Sequence, residues 1–336
     1  MRHAVCTVAV LLCLVRPAFG EDMGISAGYL HQLRQQAQFR IVQGEIVCTG
    51  MQQGGGQWES RTSGGGNEER LAFNTTGARP TIQYERRTPI GEFSFSCENG
   101  SSFTIRRVAV GNSTVTPMEF KQDAGGGVEL SVTQAAGGAR ETFRADSVWH
   151  LLLAEPTVCR KHLLPVLTPL RDRWPLETHA TELEAVLFRT IAAPTSDRQA
   201  EWADLITKLG SEDFAVRKQA DRRLRESGQV VLPFLRGLDY SKLDAEQRHR
   251  LRLIVTSLTG DGLDDHPERI AGRMVGDPQV WIGMLSRDDV AKRRAASERL
   301  DKILGQKQGF DADGEPAARQ AQLIEIKARL SKRPAK

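Results

Sequence analysis

The chain has 336 residues, 40% of them hydrophobic, and sets 46 Lys and Arg against 42 Asp and Glu. So even a balance excludes nucleic-acid binding driven by net charge. The length suits two domains of ordinary size, each able to bury a core.

Residues 1–20 read as a secretory signal peptide, with a basic start at Arg2 and His3, an apolar run over 4–15 and the small-x-small pattern Ala18-Phe19-Gly20. Cleavage is expected after Gly20, giving an exported (periplasmic, cell-envelope or secreted) protein. The apolar run falls short of the roughly 20 residues that span a bilayer, and no later segment supplies one. Cys13 follows two leucines, which argues against lipidation there. Cleavage removes Arg2, Arg16, Cys6 and Cys13 and no acid, leaving 44 basic against 42 acidic residues. Cys48, Cys97 and Cys159 remain. In an oxidising compartment Cys48 and Cys97, which share the strand-rich region, are the natural disulfide pair; the competing reading keeps all three reduced and packed as small apolar residues.

Along the mature chain, 29–39 reads as a short helix with Tyr29, Leu30, Leu33 and Ala37 near one face. Period-two alternation then predicts antiparallel strands over 40–49, 71–75, 81–86, 92–97, 103–110, 118–122, 128–134 and 141–145. In the 128–134 strand Val128, Leu130 and Val132 face inward, and Gly137-Gly138 suits a hairpin loop. The triplets Gly54-Gly55-Gly56 and Gly64-Gly65-Gly66 lie in a polar stretch that reads as a mobile loop, because no helix N-terminus or Lys-Ser/Thr pair follows to make a phosphate cradle.

At Asp146 the period changes. Asp146 is expected to cap a helix over 147–154, Pro156 to open a second reaching about Leu170, and Thr181 to cap a third over 182–192. Beyond Pro194, Trp202, Leu205, Ile206 and Leu209 form one helix stripe. The next helix starts at Ser211-Glu212-Asp213, with Phe214, Val216, Ala220 and Leu224 inward. Three Asp-x-x-x-Arg steps, Asp213/Arg217, Asp244/Arg248 and Asp289/Arg293, each open a helical segment, with arginine spacings of 31 and 45 residues.

The stretch 209–228, followed by Val231-Leu232-Pro233-Phe234-Leu235, resembles HEAT repeats. That resemblance covers about 196–305 and implies stacked antiparallel helix pairs. It also implies a structural role for Asp213, Asp244, Asp289, Arg217, Arg248 and Arg293, tying neighbouring repeats together. The strand-rich half looks faintly like periplasmic lipoprotein-carrier folds.

Chemical motifs are few. Gly24-Ile25-Ser26-Ala27-Gly28 matches the G-x-S-x-G letters without the preceding core strand that a nucleophile elbow needs. His150, Cys159 and His162 are near one another but straddle Pro156, so a metal site is not expected. Asp311, Asp313, Gly314 and Glu315 have a calcium-loop look, yet the glycine comes early and Gln322 stands where the bidentate acid belongs. The basic runs at 222–223, 248–252 and 292–294 are interleaved with acids, as on an ordinary helix face. Asn74, Asn99 and Asn112 head N-x-Ser/Thr triplets that matter only in a glycosylating pathway.

The expected chain is therefore multidomain: a signal peptide at 1–20, an antiparallel β-rich α+β domain at 21–145, a helical connector on the sheet at 146–193, a HEAT-like α-α module at 194–305, and a linker with a C-terminal helix or tail at 306–336. The expected function is a non-enzymatic exported scaffold or adaptor. It would hold a protein partner and no specific nucleic acid, without catalytic residues, metal or cofactor. The alternative is a carrier or sensor of a small apolar ligand through the β-rich domain.

Overall fold

The computed structural model describes residues 24–50, 56–74, 79–125, 127–133, 138–192, 195–236, 238–259 and 265–331. The signal-peptide segment, Gly54, Gly55, Gly137 and Pro194 therefore lie outside the described residues. An N-terminal antiparallel β-sheet region precedes a helical C-terminal region.

Helix α1 (Ala27–Gln36) buries Tyr29 and Leu33 and runs straight into strand β1 (Ala37–Val42). With β2 (Glu45–Gly50) this makes a separate two-stranded hairpin. The expected single strand over 40–49 is thus two strands, turned at Gln43 (φ 54°) and Gly44 (φ 85°), a pair of left-handed residues that suits a tight hairpin.

Eight further strands pair only with their chain neighbours: β3 (Gln57–Gly64), β4 (Asn67–Asn74), β5 (Thr81–Thr88), β6 (Gly91–Glu98), β7 (Ser102–Ala109), β8 (Met118–Gln122), β9 (Val128–Thr133) and β10 (Arg140–Ala145). Strand β3 corrects the loop expected around the glycine triplets, since Gly64 ends that strand and Gly65 and Gly66, both at positive φ, make the turn into β4. Cross-strand register aligns Leu71, Tyr84, Phe95, Ile105, Phe120, Leu130 and Phe143 in one row across seven strands. Because successive side chains alternate between faces, this row gives the sheet one apolar side. The hairpin covers that side: the Phe39 ring meets those of Phe95 and Phe103 at 6.0 and 6.2 Å.

Helix α2 (Val148–Ala154) is capped by Ser147, whose hydroxyl accepts from the His150 amide, in place of the expected Asp146 cap. The run from Pro156 to Leu170 is irregular: α3 (Pro156–Val158), a π turn over Cys159–Leu163, α4 (Leu164–Leu167) and a 3-10 turn. Pro165 offers no N–H and crowds the carbonyl four residues back, so the wider π turn accommodates it. Helix α5 (Leu176–Ala192) starts before Thr181, whose hydroxyl donates to the Glu177 carbonyl inside the helix instead of capping one.

The remaining helices are α6 (Thr195–Leu209), α7 (Phe214–Glu226), α8 (Leu232–Arg236), α9 (Ala245–Thr259), α10 (Pro267–Met274), α11 (Pro278–Met284), α12 (Val290–Leu304) and α13 (Pro316–Ser331). Their buried side chains do not form one continuous seam. Trp202, Leu205, Ile206, Leu209, Ala220, Leu224, Leu251, Ile254 and their neighbours make one core, the lobe. Ile270, Met274, Trp281, Ala296, Leu300 and Ile326 instead join the core of the sheet, hairpin and α2–α5, the body.

Asp265 fastens this body together. Its buried carboxylate accepts from the Gln43 and Gly44 amides (3.1 and 2.6 Å), the Trp149 indole (2.8 Å) and Arg273 (2.6 Å), while its own amide donates to the Ile41 carbonyl. One acid thereby joins the hairpin turn, α2 and α10. A Cβ on Gly44 would lie 2.5 Å from that of Ser147, so the turn tolerates no side chain there.

Candidate binding groove between two cores

Within the lobe, α6 and α7 run antiparallel, since Trp202 Nε1 near the middle of α6 donates to Ser227 Oγ beyond the end of α7. Helices α7 and α9 run parallel, because Arg217 lies 3.6 Å from Glu246 near their starts and Arg225 donates to Ser257 near their ends. The three Asp/Arg steps share one local device. Asp213 and Asp289 accept from the Ala215 and Ala291 amides, and Asp244 from that of Gln247, as N-caps do. Four residues on, each arginine folds back onto the carbonyls just before its cap: Arg217 onto Ser211 and Glu212, Arg248 onto Leu243, Arg293 onto Arg287 and Asp288. These arginine bonds close a turn within one unit; Arg217 with Glu246, Arg225 with Ser257 and Gln247 with the Ile206 carbonyl link one unit to the next. Phe214, expected to face inward, is 61% exposed and lies beside the Arg217 guanidinium.

Where lobe and body meet, a groove of about 660 Å³ opens between α5, α6, α8 and α12. Phe188, Ile191 and Val275 come from the body side and Trp202, Val230 and Phe234 from the lobe. The Trp202 and Phe234 rings are 5.5 Å apart, and Phe188 sits edge-on to buried Trp281 at 5.7 Å, so both walls are anchored in their own cores. Arg198, Arg299 and Lys302 stand along the groove with one acid, Glu298. Arg299 donates twice to the Val275 carbonyl, at 3.1 and 3.0 Å. Burial and, second, the charge of Arg198 hold its guanidinium below the ordinary value.

A second cleft, also about 660 Å³, lies between β10 and helices α2, α11 and α13. Burial pushes the Glu155 carboxyl up there, against the pull of Lys327. Beside it, Ser147 Oγ is 2.7 Å from His150 Nδ1, and His150 Nε2 is 3.0 Å from Asp277 Oδ2. Burial works to raise Asp277, but the hydrogen bonds from His150 and the Gln279 amide outweigh it and leave the carboxyl below the usual range. The trio has the contacts of a hydrolytic triad with the two ring nitrogens exchanged, Nδ1 toward the serine and Nε2 toward the acid. The serine is buried under Gly44 and its hydroxyl caps α2, so it is closed off from a substrate.

The other sequence candidates have local partners. Ser26 precedes α1, with no strand before it among the described residues, and donates to Glu69 on β4. His162 is buried on the π turn with its ring pushed down to about 4, by burial first and then by the charges of Lys161 and Arg107. Cys159 donates to the Leu151 carbonyl and its thiol is pushed up to about 12 by burial and the Glu155 charge. Asp311 accepts from the Asp313 amide, Asp313 pairs with Arg294, and Gln322 accepts from the Asp311 amide, so this loop is held by its own polar groups. Among the described residues no three His, Cys, Asp or Glu side chains converge as metal ligands. In the basic runs, Arg222, Arg250 and Lys292 pair with Glu226, Glu246 and Glu184. Asn99 and Asn112 are exposed in turns, and Asn74 ends β4 half-buried.

Cys48 and Cys97 are free, buried thiols in hydrogen-bond contact, and that bond first, with burial second, holds the Cys48 thiol far above its ordinary value. Cys48 pairs across the hairpin with Phe39, whose ring rests on Phe103, the cross-strand partner of Cys97. Neither Asp265 nor the groove carries a sequence motif; Asp265 sits in an acidic stretch that reads only as a lengthened connection.

Comparison of the chain with protein-family models, curated proteins and solved structures gives no match.

Proposed function

We propose that this chain is an exported, non-enzymatic adaptor whose HEAT-like helical half holds a protein partner. The observation that carries the reading is the groove between two separately anchored cores, since crevices between packed units are where ligands are commonly held. Parallel α7 and α9, each opened by the same aspartate cap and folded-back arginine, support the HEAT-like description. Export rests on the pattern of residues 1–20, and among the described residues no helix is long and apolar enough to cross a membrane. The carrier alternative finds less support, because Leu33, Phe39, Ile41 and Ile46 occupy the space against the sheet's apolar face.

The test is site-specific photo-crosslinking in the producing cell. A photoreactive residue at Gln199, in the groove, should trap one discrete protein, whereas one at Thr104, on the sheet's polar face, should not. Equal yields from both positions, or none from Gln199, would refute the adaptor reading. Mass measurement of the exported chain should show Glu21 as its first residue.

A further inference from the structure

Resting on that reading, we infer that the groove between α5, α6, α8 and α12 takes an acidic amphipathic segment of the partner, with a Leu- or Phe-sized side chain between Phe188, Trp202 and Phe234 and carboxylates toward Arg299 and Lys302.

The apolar requirement follows from the floor. Phe188, Ile191, Val230 and Phe234 are each only partly buried, and the two halves of the floor belong to different cores. An inserted apolar side chain therefore removes apolar surface of both units from water at once, at about 25 cal/mol per Å².

The charge requirement follows from the walls. At the α12 end Arg299 and Lys302 stand with one acid, Glu298. Beyond Trp202 the groove continues past Arg189, Glu201, Glu226 and Glu268. There Glu201 and Glu226 already pair with Arg223 and Arg222, and Glu268 meets the His266 ring. The lining of the α12 end thus carries more positive than negative charge. Arg299 is fixed there by its two bonds to the Val275 carbonyl. A carboxylate there meets both Arg299 and Lys302, and the planar guanidinium suits a bidentate carboxylate. A purely ionic polymer would leave the aromatic floor uncovered, so a peptide fits both features.

The test is fluorescence anisotropy with the intact mature chain. The probe is a short labelled synthetic peptide of alternating Leu/Phe and Glu segments on a helical period, and the control carries Lys at every Glu. The Glu peptide should bind at least about tenfold tighter, a difference of about 1.4 kcal/mol. Exposed Lys302→Glu should erase most of that preference and Arg299→Glu should invert it, with circular dichroism checking the fold of each variant. Equal binding of the two peptides, or a preference untouched by Lys302→Glu, would overturn the inference. If neither peptide binds while Gln199 still crosslinks a protein, the acidic-segment inference falls and the adaptor reading stands. If Gln199 crosslinks nothing, that reading falls.

Discussion

Arg217 in the lobe and Arg293 in the body hold the same place in the same cap, yet their surroundings differ. Arg217 reaches two carbonyls from a half-buried position. Arg293 is 3% exposed and adds a third bond, 2.8 Å to the Ala312 carbonyl of the loop before α13. One motif thus serves as a local turn clamp in a small lobe and as a buried strut in a larger body. The difference lies in what packs over the motif: the start of α12 is met by the loop before α13, through Ala312 and Asp313, while the start of α7 stays open with Phe214 in solvent. Exposure decides how much an identical pattern contributes to stability.

Removing the body's central fastening should have the largest effect. Asp265→Ala strands two backbone amides, an indole N–H and Arg273, and should lower stability by about 3 to 5 kcal/mol in urea unfolding. Fluorescence should show lost protection in the hairpin and α2 while the lobe unfolds at its own midpoint. A fall in the lobe's midpoint of the same size would merge the two regions into one.

Second in size is the Cys48/Cys97 pair, which we propose closes as a disulfide in an oxidising compartment. Two thiols then become one S–S bond, and a disulfide oxidant such as oxidised glutathione takes both hydrogens as two thiols. The bridge should add about 2 to 4 kcal/mol to the body. Mass spectrometry after alkylation of the exported protein should find Cys159 alone modified under denaturing conditions; three alkylated cysteines would refute it.

The paired arginines give the sharpest contrast. Arg293→Ala should cost about 2 to 3 kcal/mol, because it leaves three carbonyls without their donor in a buried site, whereas Arg217→Ala should cost about 1. Equal losses would show that the clamp, and not its burial, sets the contribution.

A smaller effect belongs to His162 in the body. Its folded value, about 4, lies below the ordinary 6.5, so the unfolded chain takes up the proton first as pH falls. The contribution is therefore present above pH 6.5 and is lost as pH falls from 6.5 to about 4. His162→Leu should flatten that part of the stability profile, and an unchanged slope would assign it elsewhere.

Legibility in the sequence followed the same division. Strands with one buried face, such as Val128–Thr133, show alternation because burial demands it. Strand β3 does not: it is an edge strand with only Trp58 as a large apolar residue, held by backbone pairing to β4. The Gln43-Gly44 turn lacks the usual Asn-Gly or Asp-Gly letters, so the hairpin read as one strand. Stripes such as Trp202, Leu205, Ile206 and Leu209 marked helices correctly but carried no sign of which core each would join. Asp265 and the groove were illegible for a related reason, since their partners lie far away in the chain.

The most direct measurement is hydrogen–deuterium exchange on Leu224→Ala, a cavity in the lobe core that should cost about 2 to 5 kcal/mol. Two separately anchored cores predict faster exchange across α6, α7 and α9, with β5 to β9, α2 and α11 protected as in the parent chain. Protection lost to the same degree in the sheet and in α11 would contradict the division on which the groove depends.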